Sequence, residues 1–297
     1  MTIVVIGGGG QLARSLHAAA IASRLRVERL GRPALDLANP VGMTAAIAAL
    51  RPWIVINAAA YTAVDAAETD QATAFAVNAA GPEALALTCE ALSIPLLHIS
   101  TDYVFDGTKP APYTENDPVM PLGAYGLSKR EGEQRVAAAC ARHLILRTAW
   151  VHSPYAGNFV KTMLRLAATR DEISVVDDQT GSPTYAPHLA DVILALARHI
   201  RDRRDVPWGT YHVAGTGETT WCGLAREVFA VSARLGGATA SVRPTTTAEY
   251  PLDARRPANS RLDCSRLERT FGLSLPPWQQ GVADCVTRLL SPQEPRS

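Results

Sequence analysis

The chain has 297 residues, of which 47% are hydrophobic, and its formal net charge at pH 7 is +1. A chain of this length can bury a substantial core and suits one large domain or two smaller ones. The near-neutral charge gives no sign of a basic surface that would bind nucleic acid or an anionic membrane. No apolar stretch approaches the roughly 18 residues of a membrane span. We therefore expect neither nucleic acid nor membrane as a partner.

Two features of the sequence favour a cytoplasmic protein. The N-terminal residues enter an apolar run directly, without the charged and apolar regions of a signal segment. The five cysteines are odd in number and widely spaced. They match neither a disulfide framework nor a Cys-x-x-Cys metal pattern, which is the usage expected in a reducing compartment.

Short apolar runs alternate with helical stretches through the first half of the chain. The predicted strands are residues 3–6, 27–30, 54–57, 96–100 and 143–147. The predicted helices are residues 11–22, 44–50, 72–92 with a break at Gly81-Pro82, and 125–141. This alternation predicts an α/β fold: a Rossmann-type, doubly wound parallel sheet with helices on both faces.

After about residue 150 the alternation becomes irregular, and proline, glycine and tryptophan become frequent. Residues 173–176 and 210–213 are predicted strands and candidates to extend the same sheet. The tail from Ser291 is polar and contains proline, which predicts a mobile terminus.

A glycine-rich turn follows the first predicted strand and opens the first predicted helix, with the sequence Gly7-Gly-Gly-Gly10-Gln11-Leu12-Ala13. Glycines permit a tight turn and let the backbone approach a pyrophosphate, and the helix N-terminus supplies free N–H groups. Ala13 stands at the third glycine position, where only close packing is needed. The turn therefore predicts a dinucleotide site that includes Gly7, Gly10, Gln11 and Leu12.

The end of the second predicted strand bears on the choice of dinucleotide. A carboxylate there binds the ribose hydroxyls of NAD, whereas an arginine accommodates the additional phosphate of NADP. The strand ends at Leu30-Gly31-Arg32, which favours NADPH, with NADH as the alternative. Asp36 lies too far along for the ribose role, so we assign it to the neighbourhood of the adenine, and we assign Leu37 to the cofactor site as well.

The run Tyr125-Gly-Leu-Ser-Lys129 follows an apolar run that ends at Ser100-Thr101, and it indicates a proton-transfer site. Residues four apart share one face of a helix, so the phenol and the ammonium point the same way. A nearby cation lowers the pKa of a tyrosine towards the range that a general acid needs. The pair alone is weak evidence, because most such pairs lie on exposed helix surface.

Together these motifs resemble an extended short-chain dehydrogenase/reductase, and several segments are similar to the dTDP-4-dehydrorhamnose reductase family. Those segments are residues 57–65, 98–107, 125–129, 147–151, 178–184, 212–215 with Trp221, and 256–260. The match runs from residue 3 to about residue 285, nearly the whole chain. Its motifs are specific in combination, although single pieces also occur among related epimerases and dehydratases.

The resemblance implies NADPH-dependent reduction of the 4-keto group of dTDP-4-dehydro-β-L-rhamnose to dTDP-L-rhamnose, a precursor of cell-surface polysaccharide. It implies that Thr101, Tyr125 and Lys129 are catalytic, with Lys129 also bound to the nicotinamide ribose. It places Ala58 and Ala59 against the cofactor. The residues that it assigns to the nucleotide-sugar substrate are Thr62, Val64, Asp102, Tyr103, Trp150, Asn158 and Arg256.

Several of these assignments have structural alternatives. Asp102 could cap a turn, Asn158 could cap a helix, and Arg256 could form a surface ion pair instead of binding a diphosphate. Trp221 and Trp278 are expected to be core residues.

Two other functions remain open. One is a different sugar-nucleotide epimerase or reductase. The other is a non-catalytic regulatory subunit of the methionine adenosyltransferase type. A dehydratase is disfavoured, because Tyr103 and not a glutamate follows Asp102.

The resemblance also implies a division of the chain. Residues 1–150 form an NAD(P)-binding domain, which parts of residues 170–215 extend, and residues 151–297 mainly bind the sugar nucleotide. Some members of the family dimerise through Mg²⁺ held by glutamates, and Ser15 stands at one of these positions. We therefore predict no metal site. The sequence leaves open whether the protein is a monomer or a homodimer.

Overall fold

The computed structural model describes residues 2–291 of the chain. The tail predicted to be mobile lies, apart from Ser291 itself, outside the described residues. No helix within the described part is both long and apolar enough to cross a lipid bilayer.

The described chain alternates strands and helices through its first half and is less regular after β5. The strands are β1 (Thr2–Ile6), β2 (Arg26–Leu30), β3 (Pro52–Asn57), β4 (Leu96–Thr101), β5 (His143–Thr148), β6 (Val151–His152), β7 (Glu172–Val176), β8 (Thr180–Gly181), β9 (Thr184–Tyr185), β10 (Gly209–His212), β11 (Thr219–Thr220), β12 (Ser241–Thr245) and β13 (Asn259–Ser260). The helices are α1 (Gln11–Ala22), α2 (Met43–Leu50), α3 (Gln71–Phe75), α4 (Gly81–Ala91), α5 (Ala124–Ala139), α6 (Phe159–Ala167), α7 (Ala186–Asp202), α8 (Trp221–Arg234), α9 (Ser265–Phe271) and α10 (Trp278–Leu290).

Six strands form one parallel sheet in the order β10-β5-β4-β3-β1-β2. β1 lies between β2 and β3, and its last residue, Ile6, pairs with Leu30 on one side and Asn57 on the other. The chain therefore reverses its strand order at β1. A crevice opens at such a switch point, outside the carboxyl ends of the strands, and this is where ligands bind in open α/β sheets. The predicted Rossmann-type fold is confirmed.

The sheet is covered on both faces because successive side chains of its strands point to opposite sides. Every residue of β1 is buried. Ile3 and Val5 belong to the core shared with α1 and α7. Val4 and Ile6 belong to the core shared with α2 and α4. The near-continuous apolar sequence of β1 thus reflects a central strand that is buried on both faces.

Of the two strands predicted after residue 150, one lies in the main sheet and the other does not. β10 pairs with β5 and forms the edge of the main sheet, which confirms the prediction for residues 210–213. β7 pairs with β12 in a separate two-stranded sheet, so its predicted place in the main sheet is wrong. β10 takes the edge beside β5, and β7 instead contributes to a second hydrophobic core with α6, α8 and α10.

The predicted break at Gly81-Pro82 is also wrong. The helical segment continues from α3 through a π-helical stretch, Ala76–Ala80, into α4. Pro82 lies in the first turn of α4, directly after the π-helical stretch. The π turn changes the hydrogen-bond register from i→i+4 to i→i+5, so the helix continues past a residue that has no N–H to donate.

Candidate active site

The glycine turn after β1 has the geometry of a phosphate-binding turn. Gly7 has a φ of +132°, and its N–H donates to Leu30 O at 2.7 Å. A side chain at Gly31 would bring a Cβ within 2.6 Å of Gly8 N, so glycine is needed where the turn and β2 meet. Within residues 2–291 no side chain caps α1. Its first N–H groups therefore remain available to an anionic ligand.

The side chain of Gln11 ties this turn to the segment after β5. Its Nε2 donates to Val151 O at 3.2 Å, and its Oε1 accepts from Ser153 Oγ at 2.8 Å and from Asn158 Nδ2 at 3.0 Å. Asn158 also caps α6, because its Oδ1 accepts from Lys161 N at 3.2 Å. The side chain of Gln11 is therefore occupied within the protein, and the helix-capping alternative for Asn158 is confirmed.

An open cavity of about 330 Å³ lies at the carboxyl end of β2, lined by Gly8, Arg29, Gly31 and Arg32, among others. Arg29 Nη1 donates to Gly8 O at 3.0 Å, so a second guanidinium stands beside the phosphate turn. Sequence reasoning missed Arg29, although its place next to the end of β2 was the available signal. Two arginines and the backbone of the glycine turn therefore line the same cavity.

The loop after β2 carries two further residues assigned to the cofactor site, Asp36 and Leu37. Asp36 accepts a hydrogen bond from Ala38 N at 3.0 Å, so part of its carboxylate shapes its own turn. Leu37 is 5% exposed and belongs to the core beneath the sheet. Within this structure the side chain of Leu37 is a packing group.

The end of β3 faces the same crevice as the glycine turn. Ala58 N donates to Ile6 O at 3.0 Å, which places Ala58 directly beside Gly7. Ala59 N is held by the side chain of Asn57 at 3.2 Å. The positions predicted to contact the cofactor after β1 and β3 therefore lie together.

The predicted catalytic residues also come together, at the carboxyl end of β4. Thr101 Oγ1 donates to Asp102 Oδ1 at 2.9 Å and accepts from Tyr103 N at 3.2 Å. The ring of Tyr125 packs edge-on against that of Tyr103, with 5.6 Å between centroids. Lys129 is 1% exposed, and its Nζ donates to Ile99 O at 2.7 Å.

Burial has the largest effect on the pKa values of these residues. It raises the pKa of Tyr125 to about 12, with the Thr101 hydroxyl acting in the lowering direction and the Asp102 charge in the raising direction. Burial lowers the pKa of Lys129 to about 8, and it raises that of Asp102 to about 6. The expectation that Lys129 lowers the pKa of Tyr125 is wrong for this structure, because desolvation of the phenol prevails and the ammonium is bonded to Ile99 O.

Helix α5 is held in place by contacts that the sequence did not reveal. The carboxylate of Glu68 accepts from Ala124 N at 2.9 Å and so caps the helix from a distance. Asn78 Nδ2 donates to Ser128 Oγ at 3.0 Å. A Cβ on Gly126 would lie 2.2 Å from Tyr103 O, so this glycine allows α5 to approach the end of β4. The approach sets Tyr125 beside Thr101.

Arg256 reaches the site from the C-terminal part of the chain and pairs with Asp65. Arg256 Nη1 lies 3.0 Å from Asp65 Oδ1, and Nη2 lies 2.8 Å from Oδ2. Ala254 N also donates to Asp65 Oδ1, at 3.1 Å. This ion pair matches the structural alternative for Arg256. It joins the segment before β13 to the segment that carries Thr62, which is exposed, and Val64, which packs near Tyr103 and Tyr125.

Trp150 follows β5 and adopts a left-handed backbone conformation, with a φ of +46°. Its indole stacks on that of Trp221, with 3.6 Å between centroids and 8° between planes. Trp221 Nε1 donates to Gln179 Oε1 at 3.2 Å. Positive φ is strained for a bulky residue, and the stack holds the indole in this position.

No three His, Cys, Asp or Glu side chains within residues 2–291 are arranged to hold a metal ion. The hydroxyl of Ser15 donates to Gln11 O at 2.8 Å, within its own helix.

A Rossmann-type sheet that brings a glycine turn and a buried Thr–Tyr–Lys set to one crevice defines the class of extended short-chain dehydrogenases/reductases. The family model for the RmlD substrate binding domain matches residues 1–291. The chain therefore belongs to the dTDP-4-dehydrorhamnose reductase family.

Curated relatives with that name are similar over most of the chain. A dTDP-4-dehydrorhamnose reductase of Sinorhizobium fredii is 46% identical over 291 residues, covering 98% of each chain. The dTDP-4-dehydrorhamnose reductase of Escherichia coli strain K12 is 41% identical over 258 residues, covering 86% of each chain.

Solved structures agree with the fold. A dTDP-4-dehydrorhamnose reductase from Bacillus anthracis, in complex with NADP, has a TM-score of 0.90 and 34% identity over 97% of this chain and 99% of that one. A UDP-glucose 4-epimerase from Thermus thermophilus, in complex with NAD, has a TM-score of 0.77 and 20% identity over 98% of this chain and 99% of that one. At that identity the second likeness concerns the fold alone.

Proposed function

We propose that this chain reduces the 4-keto group of dTDP-4-dehydro-β-L-rhamnose with NADPH, giving dTDP-L-rhamnose. The observation that carries the proposal is the buried group of Thr101, Tyr125 and Lys129 at the sheet edge that also bears the glycine turn. Relatives named for this reaction, identical at 41% to 46% of positions, support it.

The residues present fit a phosphorylated dinucleotide. The uncapped start of α1 and the backbone of Gly7, Gly10, Gln11 and Leu12 suit the pyrophosphate. Arg29 and Arg32 line the cavity where an additional ribose phosphate would be recognised. Ala58 and Ala59 border the same crevice, and we propose that Asp36 borders the adenine and that the backbone of Leu37 contributes to the cofactor site. When bound, the nicotinamide supplies the hydride that reduces the carbonyl carbon.

The chain's own residues then stabilise the charge that develops on the carbonyl oxygen. With a pKa of about 12, Tyr125 is protonated at neutral pH and can donate its phenolic proton to that oxygen. Thr101 supplies a second hydroxyl to the same oxygen. The ammonium of Lys129 is fixed by Ile99 O on the same face of α5 as the phenol. A fixed set of donors at a developing oxyanion costs no reorganisation during the reaction.

We propose that the nucleotide sugar lies in the cleft above these hydroxyls. Asp102 and Tyr103 border it at the end of β4, Trp150 borders it after β5, and Arg256 borders it through its pair with Asp65. The assignment extends to residues on neighbouring segments, namely Thr62, Val64 and Asn158. Because Asn158 is already bonded to Gln11 and to the start of α6, its contribution is to shape the cleft.

A second substrate is favoured by one relative. A Streptomyces antibioticus protein named "Probable dTDP-4,6-dihydroxy-2-methyloxan-3-one 4-ketoreductase" is 40% identical over 299 residues, covering 99% of this chain. Reduction of a keto group at the same position of another dTDP-deoxysugar is therefore the alternative, with the same hydroxyl donors.

The test is turnover by the purified chain. We expect oxidation of NADPH on addition of dTDP-4-dehydrorhamnose, with dTDP-L-rhamnose as product. Tyr125→Phe and Lys129→Met should each lose at least ~100-fold in kcat, as expected for loss of acid–base catalysis, while still binding NADPH. Near-normal turnover by Tyr125→Phe would remove the proposed acid. Turnover only with another dTDP-4-keto sugar would favour the second substrate.

We further propose that residues 1–150, with β10, bind the cofactor and that the remainder mainly binds the sugar nucleotide. The separate core built by α6, α8 and α10 supports this division. We propose a cytoplasmic protein, monomer or homodimer, and the five unpaired cysteine thiols are consistent with a reducing compartment.

A further inference from the structure

The buried face of α5 continues beyond the two proposed catalytic residues. Tyr125, Lys129 and Glu133 are four residues apart, so their side chains share one face of the helix. They are 9%, 1% and 5% exposed. Glu133 therefore lies one helical turn beyond Lys129, in the same protein interior.

Glu133 is fixed by an arginine of the neighbouring strand. Arg147, on β5, donates from Nε to Glu133 Oε1 at 2.9 Å and from Nη2 to Oε2 at 2.7 Å. The side chains of the pair are 5% and 7% exposed. The guanidinium also stacks over the ring of Phe105 at 5.1 Å. A bidentate, buried pair of this kind holds the carboxylate in one place.

The other titratable groups around Lys129 carry no compensating negative charge. His98, on β4, is fully buried and has a pKa well below its ordinary value, through burial and the Lys129 charge. Tyr125, on α5, has a raised pKa and stays neutral. Arg147, on β5, is a cation paired with Glu133. The carboxylate of Asp102 is bonded to Thr101, and Glu133 is the carboxylate whose charge acts on Lys129.

A buried ammonium is unfavourable unless an anion lies near it. A lysine in that situation releases its proton. We infer that Glu133, held by Arg147, is a positioning residue that keeps the buried Lys129 ammonium charged. Only the catalytic consequence of this inference depends on the proposed function.

The ionisation of Lys129 agrees with this geometry. Burial lowers its pKa to about 8, and the charge of Glu133 acts in the opposite direction. Lys129 is therefore charged below about pH 8 and loses its proton above it. Without the Glu133 charge this transition moves to lower pH, and at neutral pH Lys129 becomes largely uncharged.

The chain makes a direct measurement practicable, because it has only three lysines, Lys109, Lys129 and Lys161. Protein labelled with ¹³C at lysine Cε is titrated by NMR without substrate, and Lys129→Met identifies the resonance. In Glu133→Gln, which keeps a hydrogen-bond acceptor for Arg147, the pKa of Lys129 should fall by about one to three pH units. In Glu133→Asp, which keeps the negative charge, it should fall by less than in Glu133→Gln. The matched control is Glu131→Gln, on the exposed side of α5, which should change nothing.

A fall in Glu133→Gln that Glu133→Asp reverses in part supports the inference, because a merely structural role of the Glu133–Arg147 pair does not make the pKa of Lys129 follow the charge at residue 133. A pKa of Lys129 that is unchanged in Glu133→Gln, or that falls equally in both variants, overturns it. If Glu133→Gln does not fold, the double variant Glu133→Gln/Arg147→Gln, which leaves no unpaired buried charge, replaces it, and an unchanged or raised pKa of Lys129 in that variant overturns the inference. In the active enzyme the alkaline limb of kcat/KM should move with the NMR value. A chain that turns over no substrate would count against the proposed function and leave the titration interpretable.

Discussion

The hydroxyl of Thr101 donates to the carboxylate of Asp102 at 2.9 Å. A threonine hydroxyl has one hydrogen, so Thr101 must turn away from Asp102 before it can donate to a substrate oxygen. It also accepts from Tyr103 N at 3.2 Å, which keeps its oxygen in place during that rotation. The two hydrogen bonds therefore keep the oxygen of Thr101 in position, while its hydrogen stays on Asp102 until the hydroxyl rotates.

We predict that Thr101→Val loses about 100-fold or more in kcat, because one donor to the developing oxyanion is removed. Thr101→Ser keeps the hydroxyl and should retain most of the activity. Single-turnover kinetics with NADPH in excess measures the chemical step, and the Kd of NADPH should be the same in both variants. Activity of Thr101→Val within tenfold of the unchanged chain would show that Thr101 is not a donor.

Periodicity and local motifs predict much of this fold. The apolar runs that became β1, β3, β4 and β5 are short and bounded by clear turn residues, and the glycine turn lies where its pattern requires. β7 was misplaced because a short apolar run carries no information about which strand it pairs with. The π turn before α4 was missed because the sequence shows the proline and not the register that accommodates it.

The residues of the candidate site likewise fall into those that the sequence predicts and those that it does not. Tyr125 and Lys129 are visible in the sequence because their spacing is local. The pairs Asp65–Arg256 and Glu133–Arg147 join residues that only the tertiary fold brings together, and no periodicity predicts them. The pKa of Tyr125 was predicted in the wrong direction because desolvation depends on burial, which a motif does not report.

Cofactor selection can be tested at the end of β2. We predict that Arg32→Ala weakens NADPH binding by about 1–3 kcal/mol, the range for a lost charge-assisted hydrogen bond, and leaves NADH binding nearly unchanged. Arg29→Ala should act in the same direction, since Arg29 lines the same cavity. Calorimetric titration with each cofactor measures the difference. The matched control is Arg26→Ala, an exposed arginine of the same strand, and equal losses for both cofactors would contradict the assignment.

The Asp65–Arg256 pair joins the two segments that border the proposed substrate cleft. We predict that Asp65→Ala raises the KM for the nucleotide sugar at least tenfold and changes kcat less, because the segment around Arg256 loses its anchor while the catalytic hydroxyls remain. The pKa of Asp65 is lowered, chiefly by its hydrogen bond from Arg256.

Steady-state kinetics and a separate measurement of the Kd of NADPH, expected to be unchanged, test this prediction. Glu218→Ala is the control, since it removes the partner of a different arginine, Arg261. A reduced kcat with an unchanged KM would contradict the prediction and would show that the Asp65–Arg256 pair acts on the chemical step.

Three buried histidines, His98, His152 and His212, should make the fold sensitive to acid. Burial lowers the pKa of His152 to about 4 and that of His212 to about 3. In the unfolded chain both take up protons below about pH 6.5. Because the folded pKa values are the lower ones, their contribution to stability is complete above pH 6.5 and is lost as the pH falls towards 4 and 3.

Each buried histidine should therefore cost about 2 kcal/mol of unfolding free energy between pH 7 and pH 5, from the linkage relation. We predict that His212→Gln, whatever its effect at pH 7, reduces the difference in unfolding free energy between pH 7 and pH 5 by about 2 kcal/mol. Urea unfolding at both pH values measures it. His199→Gln, at the partly exposed end of α7, is the control and should leave the difference close to that of the unchanged chain. If His212→Gln shows the full wild-type loss at pH 5, then His212 takes up its proton in the folded protein and the burial argument fails.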